Sequence, residues 1–236
     1  MSIAQNAEKI LGNIRLAATS VGRDPGSIIL CAATKMNNAE RVKEAIQAGI
    51  TCCGENRVQE LTEKLAANAY AGASVHFIGH LQTNKVKQVV GKVDLIQSVD
   101  SLRLLEAIDK EAARQEMVQD ILLEVNIAGE ASKGGFSVDE LWQLLPEMSL
   151  FHHVRVLGLM TIPPICQNSG DNSKFFQEMY NLSVDITAKK YDNVLVKILS
   201  MGMSDDFEDA IRCGSNMVRV GTAIFGARDY GISNQK

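Results

Sequence analysis

The chain has 236 residues, a formal net charge of −4 and a sequence pI near 5.6, with 46% hydrophobic and 22% charged residues. This length suffices for one α/β unit of barrel size or two smaller ones, and the acidic balance excludes a general attraction to nucleic acid or anionic membrane. The five cysteines (Cys31, Cys52, Cys53, Cys166, Cys213) are odd in number and lie mostly in or beside apolar runs. With neither C-x-x-C spacing nor a clustered Cys/His pattern, they read as small buried hydrophobes, and no metal site is expected.

Apolar residues at helical spacing (Ile3, Ala7, Ile10, Leu11, Ile14), broken by Glu8, Lys9 and Arg15, predict an N-terminal amphipathic helix and not a signal peptide or membrane span. A cytoplasmic protein is expected. After the turn Asp24-Pro25-Gly26, the apolar run 27–35 reads as a strand buried on both faces and ending in Lys35. Asn37-Asn38 caps the next helix, and Gly49 ends it. A second strand is expected over 50–53, a helix opening at Gly54-Glu55-Asn56-Arg57, a third strand over 75–79, and a helix from about His80 to Gly91. Strand 95–99 precedes a helix capped by Ser101. Strand 121–127 leads into the glycine-rich stretch 128–135, the most flexible-looking part of the chain. A helix from Ser137 to about Met148, strand 154–159 closed by Pro163-Pro164, and a long helix from Ser173 to about Lys190 follow. The last strands are 194–200 and 217–220.

Eight strand–helix units after an extra N-terminal helix predict a single closed (β/α)8 TIM-type barrel over residues 1–236, in preference to an open doubly wound sheet. In a barrel, sites lie at the C-terminal strand ends, and phosphate commonly sits after strands seven and eight. Ser200-Met201-Gly202-Met203-Ser204 and Gly221-Thr222 end those two strands. Glycine allows close backbone approach, hydroxyls donate, and helix starts offer free N–H groups, so the two ends together predict a phosphate cup. Alternation places Cys31, Ala33 and Lys35 on one face of strand one, so Lys35 is either a Schiff-base amine at the barrel mouth, its pKa lowered by desolvation and nearby cations, or a lysine leaving for solvent. Arg219 points inward with Met217, where Glu124 or Asn126 could answer it as an internal salt bridge. The lysines Lys85, Lys87 and Lys92 read as a solvated helix face in preference to a docking site for an acidic partner or PLP.

The blocks AATK (32–35), GENRVQE (54–60), HFIGHLQTNKVK (76–87), EVNIAGEASKGGF (124–136), GLMTIPP (158–164), SMGMSDDFEDAI (200–211) and VRVGTAIFGAR (218–228) resemble the pyridoxal phosphate homeostasis protein family in order and over nearly the whole chain. The resemblance implies a barrel like that of alanine racemase and pyridoxal 5′-phosphate (PLP) held as a Schiff base at Lys35. It further implies phosphate contacts from Ser200, Gly221 and Thr222, with Arg219 near the pyridine nitrogen or the phosphate edge. Asn56, Met160, Thr161 and Gly202 match blocks that line the family's pocket. Two positions depart from the family pattern: Ala33-Thr34 precedes the lysine where Val-Ser is usual, and Arg57 stands where an aromatic residue is usual.

An arginine at the ring nitrogen disfavours its protonation and so weakens the electron sink that PLP enzymes use. Racemisation also needs an acid/base on each face of the substrate carbon. The tyrosines Tyr70, Tyr180, Tyr191 and Tyr230 are expected on helices or in the tail, so no obvious second base remains; His80, directly after strand three, reads as a capping or solvent group before a base. The expectation is therefore a protein of intracellular PLP homeostasis that stores, buffers or delivers the cofactor to apo-enzymes without dedicated turnover and with no catalytic residue. It would be a monomer or weak dimer with no nucleic-acid or membrane partner. The alternatives are a PLP-dependent amino-acid racemase with an unidentified second base, and a barrel enzyme for a phosphorylated metabolite.

Overall fold

The computed structural model describes residues 1–130, 133–165 and 168–226; Ala131, Ser132, Cys166, Arg228 and Tyr230 fall outside these ranges. Eight parallel strands close into a barrel in sequence order, β1 (Ile29–Ala33), β2 (Cys52–Glu55), β3 (Ser74–Phe77), β4 (Leu95–Val99), β5 (Gln119–Glu124), β6 (Val154–Met160), β7 (Val194–Ser200) and β8 (Met217–Val220). Helix α1 (Ile3–Ser20) precedes the barrel. Between and after the strands run α2 (Ala39–Gln47), α3 (Val58–Ala66), α4 (Leu102–Arg114), α5 (Val138–Leu144), α6 (Ser173–Lys189), α7 (Phe207–Arg212) and α8 (Thr222–Phe225).

Two apolar layers hold the barrel together. Inside it pack small and flexible side chains, including Cys31, Ala33, Cys52, Ile78, Leu122, Met160 and Met217. Outside, Leu30, Ala32, Cys53, Val218 and Val220 meet the helices. Side chains alternate across a strand, so this division puts Cys31 and Ala33 on the inner face of β1 and Met217 and Arg219 on the inner face of β8, as the sequence pattern predicts.

Four local expectations are corrected. Gly54 and Glu55 extend β2 and do not open α3: a Cβ on Gly54 would lie 2.9 Å from Cys31 Sγ and 2.7 Å from Ile78 Cδ1, and Glu55 is fully buried. The segment after β3 forms only the 3₁₀ helix Thr83–Gln88 before reaching Val89 and Val90, whose β-branched side chains suit an α-helix poorly. After α5 the chain tightens into the 3₁₀ helix Leu145–Leu150, where Pro146 has no N–H to continue α-helical bonding. Ser101 stands at the N-cap of α4, but its hydroxyl donates to Asp100 Oδ1 (3.0 Å) and accepts no hydrogen bond from the helix N–H groups.

The glycine-rich stretch is organised on its described side. Asn126 Nδ2 donates to Glu130 O (2.9 Å), and Lys133 Nζ pairs with Glu130 Oε1 (2.7 Å). Helix α1, started by a Ser2–Gln5 capping box, braces the last units of the barrel: Asn6 Nδ2 donates to Ile224 O (2.9 Å) and Asn13 Nδ2 to Glu208 Oε1 (3.0 Å). No helix among the described residues is long and apolar enough to cross a membrane.

Candidate cofactor site at the mouth of the barrel

A cavity of about 580 Å³ opens at the C-terminal strand ends, between β1 and the loops after β7 and β8. Lys35, Arg41 and Arg219 give it a cationic lining with Asp205 as the acidic member, while Asn37, Asn56, Ser204 and Thr222 supply polar groups. Ala33, Ile78, Ile162 and Phe225 add apolar wall. A volume in this range, with few convergent polar groups, is typical of small-molecule sites.

The segment carrying Lys35 is held from below by a buried charged network. Glu55 Oε1 accepts hydrogen bonds from Thr34 Oγ1, from Lys64 Nζ (2.5 Å) and from Tyr70 OH (3.0 Å). Lys64 Nζ also donates to Thr34 O (2.8 Å), and Glu60 Oε2 accepts from Met36 N (2.6 Å). Thr34 and Met36 are thereby pinned on both sides of Lys35, two residues past the end of β1. Burial, with the negative Glu55 beside it, pushes the Tyr70 hydroxyl far above the usual phenol range, so Tyr70 serves as a donor in this network.

On the opposite wall, Gly202 adopts φ +93°, and a Cβ there would lie 2.6 Å from Ala210 Cβ and 2.9 Å from Phe207 Cα. Only glycine meets both demands without strain. The turn it makes is fixed by Asp206, which accepts from Met203 N (2.7 Å) and Asn172 Nδ2 (2.7 Å), and it carries Ser204 to the cavity. Gly221 N donates to Ser204 Oγ (3.4 Å), joining the two loops. Gly221 also passes close to β1, since a Cβ on it would meet Ala33 O at 3.2 Å. The N–H groups at the start of α8 point away from intrahelical partners, as at any helix start.

Arg219 forms part of the cavity floor. It donates through Nη1 to Ser200 Oγ (2.7 Å) and through Nη2 to Thr161 O (2.8 Å). Ser200 Oγ in turn donates to Gln97 Oε1 (2.7 Å), and Thr161 Oγ1 donates to Val125 O (2.7 Å). The expected salt bridge is therefore replaced by two neutral acceptors. Asn126 is engaged with its own loop, while the Glu124 carboxyl acts on Arg219 through its field. Burial pushes Glu124 up to about 7, with Asp100 adding to the rise and Arg219 and His80 opposing it. Burial lowers the Arg219 pKa from its ordinary value, while the fields of Cys31, Glu124 and Asp206 oppose the shift.

Of the nine residues singled out from the sequence, Lys35, Asn56, Arg219, Gly221 and Thr222 line the cavity. Ser200, Met160 and Thr161 are fully buried within or beside the barrel interior beneath it, and Gly202 shapes the adjoining turn. Ser204 and Arg41 were missed. Ser204 belongs to the strand-end segment already picked out, four residues beyond Ser200. Arg41 sits in the first turn of α2, where a carboxylate would suit the helix dipole, and this inverted charge was its signal. It donates through Nε to Asn37 Oδ1 (2.9 Å) and through Nη2 to Phe225 O. Arg57 and His80 line a second, shallower cavity of about 620 Å³ that shares only Asn56 with the first. His80 is largely exposed and pairs with Asp100 (2.8 Å).

The family model described as alanine racemase, N-terminal domain, matches residues 6–229. The pyridoxal phosphate homeostasis protein of Aquifex aeolicus (strain VF5) is 41% identical over 230 residues, covering 98% of this chain and 100% of that protein. An unknown protein from Bifidobacterium adolescentis has a similar structure, with TM-score 0.89 and 35% identity over 94% of each chain. PipY of Synechococcus elongatus PCC7942, solved with PLP bound, gives TM-score 0.80 at 30% identity, covering 95% of this chain and 100% of its own. On these likenesses the chain belongs to the pyridoxal phosphate homeostasis proteins, within the family of the alanine racemase N-terminal domain.

Proposed function

We propose that the chain is a single PLP-binding barrel that stores, buffers or delivers the cofactor within the cell. The observation that carries this reading is the shared cavity: a primary amine at the end of β1 faces the same space as the hydroxyl-bearing loops after β7 and β8. The residues fit the group. Lys35 supplies the amine, and with the aldehyde of PLP it loses water to form a reversible Schiff base. Ser204, Thr222, the backbone at Gly221 and the Arg41 guanidinium hold the phosphate. Asn56 Oδ1 is buried without a partner among the described residues, an acceptor of the kind a ligand hydroxyl satisfies. PLP supplies an electrophilic carbon and an electron sink when bound.

Arg219 on the cavity floor would stand near the ring, and because a guanidinium only donates, it would disfavour a protonated pyridine nitrogen. Ser200 and Thr161 fix its guanidinium, Met160 packs beneath, and Gly202 aims the phosphate loop. Among the described residues no tyrosine or histidine lines the cavity, which favours cofactor handling over a two-base racemase. The relatives' names and the PLP-bound PipY support the same reading. Apo-enzymes are the recipients in this scheme, and the carrier works as a monomer or weak dimer.

The test is the absorbance of purified protein mixed with PLP, wild type beside Lys35→Ala. A borohydride-sensitive visible band in the wild type alone, with PLP transfer to an apo-enzyme and no exchange of amino-acid α-hydrogen, is expected. A wild type that binds no PLP would overturn the assignment, and rapid α-hydrogen exchange would favour the racemase.

A further inference from the structure

Beneath the cavity floor the barrel gathers three soft ligands that lie far apart in the chain. Cys31 and Cys52 are register partners on β1 and β2, and both belong to the inner layer. His76 follows on β3, in register with Gly54, and its Nδ1 and Nε2 lie 3.4 Å and 3.8 Å from Cys52 Sγ. The two sulfurs and an imidazole nitrogen all lie within 4.8 Å of one another, and the three residues are buried. Gly54 makes this possible, because a side chain there would press on Cys31 Sγ.

We propose that Cys31, Cys52 and His76 form a binding site for a soft d10 cation such as Zn²⁺. Metal–sulfur distances near 2.3 Å and metal–nitrogen distances near 2.0 to 2.1 Å imply tetrahedral edges of roughly 3.8 Å between sulfurs and roughly 3.6 Å between sulfur and nitrogen. The Nδ1–Sγ separation of 3.4 Å lies close to the second value. Two thiolates and an imidazole select zinc-like cations over Mg²⁺ or Ca²⁺, which prefer oxygen. Binding displaces the thiol protons, so two thiolates neutralise the divalent charge, and a water completes the tetrahedron beside the three protein ligands.

The imidazole also has an amide partner: Gln97 Nε2 lies 2.9 Å from His76 Nδ1 and 3.2 Å from Met217 Sδ. Gln97 Oε1 accepts from Ser200 Oγ, so its Nε2 donates to Nδ1 and keeps the ring proton on Nε2; a cation would take the Nδ1 lone pair in place of this amide donor. Because Gln97 Oε1 accepts from Ser200 Oγ, which accepts from Arg219, one hydrogen-bond chain connects this cluster to the cavity floor.

Cobalt(II) reports this geometry directly, through sulfur-to-metal charge transfer and the strong d–d bands of a tetrahedral ion. Reduced, chelator-stripped protein is titrated with Co²⁺ in the native state and also refolded with it, since all three ligands are buried. One Co²⁺ per chain, displaced by Zn²⁺, is expected. Cys31→Ser and Cys52→Ser should each weaken binding by about tenfold or more. Cys53→Ser, on the outer face of β2, should leave the spectrum unchanged. In the unmutated protein, Zn²⁺ should raise the unfolding temperature with increasing concentration and Mg²⁺ should not. Absence of charge transfer from the refolded wild type, a band that survives Cys52→Ser, or a Zn²⁺ response no larger than that of Mg²⁺ would each overturn the site.

Discussion

Replacing Lys64 by methionine should be among the most damaging single changes to this fold, although Lys64 touches no ligand. The ammonium is nearly inaccessible and contacts Glu55 Oε1 at 2.5 Å, Thr34 O at 2.8 Å and Glu60 Oε2 at 3.3 Å. Removing it leaves the Glu55 carboxylate buried with only the hydroxyls of Thr34 and Tyr70 to answer its charge. Breaking one side of a buried pair costs about 3 to 5 kcal/mol, because the remaining ion keeps its desolvation penalty. Glu55 Oε2 already lacks a hydrogen-bond partner among the described residues, so the pair itself is incompletely satisfied. The double variant Glu55→Leu/Lys64→Met should therefore recover most of the loss, coming within about 2 kcal/mol of the wild type. Urea unfolding followed by far-UV circular dichroism, analysed as a double-mutant cycle, measures both numbers. A single-variant loss below about 1 kcal/mol would refute the reasoning, since it would place the pair in the class of exposed ion pairs.

Glu124→Gln should change the pH dependence of stability. Burial raises the native carboxyl from 4.5 to about 7, so below pH 4.5 both states are protonated and the group contributes nothing. Between these values the unfolded chain ionises first and stability falls as pH rises, and above 7 the full penalty of about 3 kcal/mol applies. The variant should thus gain about that much over wild type at pH 8 and little at pH 4, as read from urea midpoints; equal gains at both would contradict the assignment. Gly202→Ala should cost about 1 to 3 kcal/mol through its left-handed φ and the clash with Ala210, and should weaken PLP binding by displacing Ser204. Thermal unfolding and a PLP titration check this, and an unchanged profile in both would count against the loop's role.

Much of this was legible in the chain. Bounds 95–99, 194–200 and 217–220 agree with β4, β7 and β8, because short β-branched and apolar-rich segments bounded by turn and cap residues leave few alternatives. The β2 boundary was not legible: Gly54 and Glu55 look like a helix entrance, and only the approach of Cys31 and Ile78, with the Lys64 partnership, makes them strand. The site divides the same way. Lys35, Gly221 and Thr222 stand at strand ends and can be read from position. Ser200 and Ser204 cannot be told apart without knowing that the Gly202 turn sends one down to Arg219 and the other up to the cavity. The thiol–imidazole cluster is a matter of register between strands, and register leaves no mark in residue spacing.

Helix α1 and strand β1 meet α7 and β8 at the barrel's seam, where Cys31 pairs with Arg219 and Arg23 reaches Ile211 O across 188 residues of sequence. Closing so distant a pairing is entropically costly and slow. During synthesis Lys35 leaves the ribosome long before the Gly221 loop exists, so no nascent fragment carries a complete ligand cavity. A ligand spanning the seam binds only the closed barrel and holds it shut by mass action. The unfolding temperature of such a protein should therefore rise with ligand concentration, the seam being the part the ligand protects.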